Sequence, residues 1–225
     1  MTADTIPRRS LLKATAATGA TVLASAQTGC STTSPQPPRT GPQARPSTPT
    51  SAQNSVLLAY FSRAGENYDY GGRINLEVGN TEVLAHLIAS RMQCDIYRIV
   101  PEDLYPHDYD ATVQRNVHEQ EADARPAIAN PLLAIDNYDT VLLGSGIWNI
   151  RAPMIMSTFA ESLDFTGKTI HPFTTHAMSG LGTTERDYAA SCPGATIGRG
   201  LAVQGEKVKD AGQAVESWLR RINLR

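Results

Sequence analysis

Six consecutive residues, Val56-Leu57-Leu58-Ala59-Tyr60-Phe61, are apolar or aromatic, and serines bound the run on both sides. A run this short is a strand buried on both faces, since a half-exposed strand would alternate apolar with polar residues. Strands are also predicted at Cys94–Val100, Asp139–Gly144 and Lys168–Thr174, with a fifth, short one inside Gly194–Leu201. Helical stretches separate them. Thr81–Met92 places Val83, Leu84, Leu87 and Ile88 on one face, behind Gly79 or Asn80 as N-cap. Asp110–Ala122 reads as a polar helix, and Pro153–Leu163 as a helix with proline in its first turn. Val208–Ile222 closes the chain with Ala211, Val215, Trp218, Leu219 and Ile222 on one face. This alternation predicts an α/β fold, a three-layer α/β/α sandwich around a five-stranded parallel sheet. No GxGxxG follows the first strand, which disfavours a dinucleotide-binding domain.

The first 54 residues have a different character. Pro7-Arg8-Arg9-Ser10-Leu11-Leu12-Lys13 precedes a modestly apolar, Ala/Thr-rich stretch running to about Ala26. A charged start, an apolar middle and small residues read as a secretory signal, and the paired arginines resemble the twin-arginine type. Residues 1–30 are therefore expected to direct export, to the periplasm, the cell surface or beyond. Ala24-Ser25-Ala26 fits ordinary signal peptidase, whereas Gly29-Cys30 resembles a lipoprotein site with Gln27 in place of an aliphatic residue. Both cleavage points stand, near 26 or before 30, and the second implies membrane attachment through a lipidated Cys30. Residues 31–54 hold Ser, Thr, Pro, Gln and Gly with almost nothing apolar, so a flexible linker is expected. Residues 55–225 form the folded domain.

Charge narrows the partners. Up to Asn54 the basic residues are Arg8, Arg9, Lys13, Arg39 and Arg45 against one acid, Asp4. The 20 basic and 22 acidic side chains of the chain thus leave 15 and 21 for residues 55–225, a formal charge of −6. Phosphate neutralisation needs clustered Lys and Arg, so no nucleic acid is expected. Cys30, Cys94 and Cys192 are too few for a disulfide framework and lack metal-type spacing. Unlinked thiols at Cys94 and Cys192 are favoured over a bond between them. His107, Asp108 and His118 match no common metal site, and no metal is predicted.

Ligands of open α/β sheets sit beyond the carboxyl ends of the strands, so the loops there carry the chemistry. After the first strand come Ser62-Arg63-Ala64-Gly65-Glu66-Asn67, a Tyr/Gly-rich excursion, and Gly79-Asn80-Thr81 at a helix start. Hydroxyls and free N–H groups at a helix N-terminus suit a phosphate, and a plain capped turn is the alternative. After the third strand, Trp148 stands in the glycine-containing segment Gly144–Pro153, where an aromatic face suits a planar ligand. After the fourth, Thr174-Thr175-His176-Ala177-Met178-Ser179-Gly180 offers small residues and backbone N–H groups to a polar ring edge.

Together Ala59-Tyr60-Phe61-Ser62-Arg63, Gly79-Asn80-Thr81, Ile147-Trp148 before Pro153, and Phe173-Thr174-Thr175 with Ser179-Gly180 resemble the flavodoxin-like family. The similarity covers roughly residues 55–222 and is nearest to short flavodoxins whose first loop reads Tyr-Phe-Ser-x-x-Gly-Asn-Thr. It implies a sheet in flavodoxin order and non-covalent FMN. It also implies that Ser62, Arg63, Gly79, Asn80 and Thr81 meet the phosphate, that Ile147, Trp148 and Asn149 flank the isoalloxazine, and that Thr175, His176 and Ala177 line its other edge. Two departures stand out. An insertion, Glu66–Val78, splits the phosphate loop, so that Ser62 and Thr81 must reconverge across it or Ser62–Asn67 must act alone. Where relatives carry Pro-Ile-Trp-Trp-Gly, this chain has Gly146-Ile147-Trp148-Asn149-Ile150 and lacks one aromatic. Tyr68 and Tyr70 are candidates to cover the ring, and a polar helix is expected beside it.

The resemblance implies an exported electron-transfer flavoprotein that docks to redox partner proteins, with the flavin carrying the chemistry and no catalytic acid or base. Two other readings remain: an FMN-dependent NAD(P)H:quinone-type oxidoreductase serving a small-molecule acceptor, and a flavin-free binding module on the same fold.

Overall fold

Strand β1 (Val56–Tyr60) is wholly buried, and its side chains divide by parity. Val56, Leu58 and Tyr60 enter one core, while Leu57, Ala59 and the following Phe61 enter the other. A strand with both faces apolar needs a layer of helices on each side, and that requirement sets the architecture. The structure, a computed structural model, describes residues 55–225. The expected export signal, both expected cleavage points, the expected linker and Cys30 lie outside the described residues.

In chain order β1 is followed by β2 (Gly65–Asp69), β3 (Gly72–Leu76), α1 (Asn80–Ala89), β4 (Asp95–Arg98), α2 (Tyr109–Glu121) and β5 (Thr140–Gly146). Then come α3 (Met154–Glu161), β6 (Thr169–His176), α4 (Thr184–Ser191), β7 (Thr196–Ile197), β8 (Leu201–Gln204), a 3₁₀ turn (Gly205–Asp210) and α5 (Gly212–Arg221). The main sheet runs β4-β1-β5-β6, with β7 and β8 both on the outer edge of β6, and every pairing in it is parallel. Helices α1 and α5 supply Leu84, Ile88, Val215, Trp218 and Leu219 to one core. Helices α3 and α4 supply Ile155, Phe159 and Tyr188 to the other, joined by Cys192 at the end of α4. The predicted three-layer fold is the one observed.

Several details differ from expectation. The fifth sheet position is filled by two short strands, not one. Between them, Gly198 packs where a Cβ would lie 2.3 Å from the His171 ring. The Arg199 carbonyl accepts the Trp218 indole N–H at 2.9 Å and lies 3.1 Å from His171 Nδ1. That carbonyl is drawn into the interior, and the ladder breaks there. The closing helix is preceded by the 3₁₀ turn, so the α-helix proper starts at Gly212. Pro153 is the N-cap of α3 and lies just outside its first turn. The sequence reading also missed α4 and the β2–β3 hairpin that forms most of the insertion. Tyr70 and Gly71 both take positive φ, 43° and 87°, the two-residue turn that matches the twist of antiparallel strands.

Cys94 packs against the α1/α5 core and Cys192 lies within the other, so the sheet separates the two free thiols. Burial pushes the Cys192 thiol up to about 12, which leaves it unreactive.

Candidate functional site

At the carboxyl edge of the sheet a cavity of about 390 Å³ opens beside the N-terminus of α1. That terminus is built by a close approach across the insertion. Gly79 caps α1, and a Cβ there would sit 2.4 Å from both Ser62 Oγ and the Arg63 carbonyl oxygen. Only glycine permits this contact, so Gly79 shapes the backbone without itself lining the cavity. Ser62 Oγ accepts the Glu82 N–H at 3.1 Å, doing the capping that Gly79 has no side chain to do. Ser62 and Thr81 therefore reconverge with the hairpin looped out between them. Among the described residues, the N–H groups of Asn80 and Thr81 have no acceptor in the chain. Thr81 Oγ1 lies 2.7 Å from Thr175 Oγ1, which fastens the helix start to the end of β6. One wall of the cavity thus gathers two free N–H donors, three hydroxyls and the Asn80 amide.

The opposite wall is aromatic and apolar. Trp148 N donates to the Arg151 carbonyl at 2.9 Å, closing a tight turn in which Asn149 takes φ 63°. The indole packs edge-on against Tyr105 (4.9 Å between centroids) and Phe61 (5.7 Å). Tyr105 is fixed in turn. Its hydroxyl donates to Glu119 at 2.8 Å, and Arg115 binds Glu119 at 2.7 Å while lying 4.0 Å over the Tyr105 ring. Ile147 N donates to the Thr175 carbonyl, and Ser179 Oγ donates to the Asn149 carbonyl, so the loops after β5 and β6 brace each other. Gly182, at φ 55°, lets the second loop pass the Ile150 carbonyl, 2.3 Å from where a Cβ would be.

Ser62, Arg63, Asn80, Thr81, Ile147, Trp148, Asn149, Thr175, His176 and Ala177 all line this cavity. Arg63 does so in a way the sequence did not suggest. Its Nη1 donates to the Pro106 carbonyl at 2.8 Å and the His107 carbonyl at 3.1 Å, and its Nη2 to the Glu66 carbonyl. The guanidinium fork therefore braces the hairpin, and Arg63 offers the cavity its charge more than its hydrogen bonds. Among the described residues it forms no ion pair, and burial draws its pKa below the usual arginine range.

The sequence reading missed part of the lining. Helix α2 contributes Tyr109, Thr112, Val113, Asn116 and Val117, which gives the anticipated polar helix an apolar strip facing the cavity. Asp108, weighed earlier as a metal ligand, caps this helix by accepting the Ala111 N–H at 2.7 Å. The hairpin contributes Asn67 and Tyr68, while Tyr70 is exposed at the hairpin tip and its N–H donates to Glu206. Gly205 and Glu206, just past β8, complete the wall. They were findable: the rule that directs attention to strand carboxyl ends applies equally to the fifth strand.

A family model described as Flavodoxin matches residues 74–222. Among solved structures, a candidate flavoprotein from Bacteroides uniformis is 29% identical, with a TM-score of 0.59, covering 74% of this chain and 98% of its own. Another from Bacteroides eggerthii is 26% identical, with a TM-score of 0.60, covering 76% and 99%. A flavoprotein from Lactobacillus acidophilus, solved in complex with FMN, shares the fold at 17% identity and a TM-score of 0.50, covering 71% and 99%. A comparison with curated proteins gave no match.

Proposed function

This chain belongs to the flavodoxin family, and on that premise we propose that its cavity holds FMN and that the protein carries electrons outside the cytoplasm. The observation that carries the reading is the pairing, within one cavity, of a helix N-terminus with free donors and an indole held edge-on by Tyr105 and Phe61. The first suits a phosphate and the second a flat ring. The site fits the cofactor on its own chemistry: among the described residues the Asn80 and Thr81 N–H groups lack an acceptor, as a phosphate seat requires. The solved FMN complex of a protein with this fold lends support.

Ser62, Asn80 and Thr81 would hold the phosphate, and Arg63 would offset part of its charge. Ile147, Trp148 and Asn149 would flank one side of the isoalloxazine, with Thr175, His176 and Ala177 along its other edge. FMN supplies the redox chemistry when bound. The chain positions the ring, limits water and sets the surrounding charge. The net charge of −6 on residues 55–225 disfavours a further negative charge on the reduced ring, which lowers the potential. The same charge favours docking to redox partners with basic faces. The twin-arginine-like start supports export of this carrier to the periplasm, the cell surface or beyond, with the 31–54 linker as its tether if Cys30 is lipidated.

The test is redox cycling of the full chain loaded with FMN. An electron carrier is reduced by dithionite and reoxidised by an acceptor, and consumes NADH or NADPH no faster than free FMN does. Sustained NAD(P)H turnover would replace this reading with an oxidoreductase.

A further inference from the structure

His176, at the carboxyl end of β6, and Glu206, in the 3₁₀ turn after β8, both line the cavity, and neither belongs to the phosphate seat or the stacking wall. Nδ1 of His176 and Oε2 of Glu206 are each sealed from solvent, and among the described residues each lacks a hydrogen-bond partner. A buried polar atom left unpaired is costly, so two on one wall call for an explanation.

Their placement is built in. Gly205 packs so closely on α1 that a Cβ would lie 2.5 Å from Asn80 Nδ2, and this delivers Glu206 to the cavity. The other Glu206 oxygen accepts the Tyr70 N–H at 3.1 Å, so the hairpin tip holds the carboxylate in position. Gln204 Nε2 donates to the Ala177 carbonyl at 3.2 Å, which fixes the backbone beside His176. The ionisable side chains that share the cavity with His176 come from several elements: Arg63 after β1, Tyr68 on the hairpin, Tyr109 on α2 and Glu206 in the 3₁₀ turn. Of these, Glu206 is the one whose charge reaches the imidazole. Burial is the larger effect and holds the His176 pKa below the usual 6.5, while Glu206 and the Ala177 backbone favour the protonated ring, so a negative charge arriving in the cavity pushes the ring towards protonation.

We propose that His176, partnered by Glu206, takes up a proton when the flavin in this cavity is reduced. The proposal rests on the FMN reading above. Bound FMN would supply the redox chemistry: two electrons from an external donor, a redox partner protein or dithionite in the test, with one proton from solvent, would add one negative charge to the cavity. That charge favours an imidazolium beside it, and a second proton from solvent binds His176. Two electrons and two protons are then taken up, both electrons and one proton on the flavin and one proton on His176, with no protein bond broken.

The experiment measures midpoint potential against pH for the FMN-loaded full chain and for His176→Gln and Glu206→Gln. The native protein takes up more protons per electron pair than His176→Gln across a window of pH, by up to one, and Glu206→Gln shifts that window to lower pH. Coincident curves for the native protein and His176→Gln, with FMN bound in both, overturn this proposal and leave the FMN reading intact. A native protein that binds no FMN overturns both. An NMR titration of the His176 ring in the FMN-free chain adds a readout independent of electron transfer. The ring protonates at higher pH in the native protein than in Glu206→Gln, and identical titrations overturn the partnership.

Discussion

Thr81 and Thr175 meet hydroxyl to hydroxyl at 2.7 Å, joining the first turn of α1 to the end of β6. Residues 94 apart in sequence are thereby locked at the seat proposed for a phosphate. Thr81→Val removes one donor from that seat, and a hydrogen bond to a charged group is worth about 1.5–3 kcal/mol. FMN binding should weaken about tenfold or more, while riboflavin, which has no phosphate, should bind as before. Fluorescence titration with both ligands checks this.

The Trp148 wall depends on a charged brace behind it. Burial, reinforced by Glu119, pushes the Tyr105 phenol far above its usual range, so it remains a donor to Glu119 at every accessible pH. Tyr105→Phe should cost about 1 kcal/mol of stability, the net worth of an ordinary hydrogen bond. Glu119→Ala should cost about 1–3 kcal/mol, because it leaves the buried phenol without an acceptor, while Arg115 keeps its pairing with Asp103. Urea denaturation of the full chain measures both.

Gly144 admits no side chain. A Cβ there would lie 2.0 Å from the Phe173 ring, which is fully buried in the α1/α5 core. Gly144→Ala should destabilise the domain by about 3 kcal/mol, and Gly144→Ala with Phe173→Leu should recover part of that loss. Thermal unfolding of the two variants is the check.

His171 makes the domain acid-sensitive. Burial lowers its folded-state pKa below the usual 6.5, and its contact with the Arg199 carbonyl offsets this in part. The unfolded chain therefore binds the proton more readily, and stability falls as pH drops below about 6.5 towards the folded-state value. His171→Gln should flatten that part of the curve. Denaturant midpoints at pH 8 and pH 5 show whether the native protein loses more stability than the variant.

How much of this was legible in the sequence varies with the physics involved. The strands β1 and β5 were readable because burial on both faces leaves an unbroken apolar run, whereas β6 keeps only Ile170 and Phe173 among Thr, His and Pro and was readable from its place in the strand–helix alternation. Helix α1 was readable from its periodicity, and α5 from the stripe through Val215, Trp218 and Leu219. The hairpin was not, because Glu66–Val78 is polar and its turn is Tyr70-Gly71, whereas the turns a sequence announces most clearly carry Asn-Gly or Asp-Gly. The break in the fifth strand depends on His171 and Trp218, which reach the Arg199 carbonyl from distant segments. At the site, Trp148 and the Asn80-Thr81 pair were legible from loop position. The engagement of the Arg63 fork with carbonyls at 106 and 107 was not, since no local pattern encodes it.

The central claim is that this cavity is an FMN site with a phosphate seat at α1 and a stacking wall at Trp148. The direct measurement is a fluorescence titration of the FMN-free full chain with FMN and with riboflavin, run beside Trp148→Ala. The account predicts that FMN binds tightly and loses fluorescence, that riboflavin binds much more weakly, and that Trp148→Ala loses about 1–3 kcal/mol of affinity for both through lost stacking. An unchanged FMN signal in the native protein, or equal affinity for the two flavins with no effect of Trp148→Ala, would contradict it.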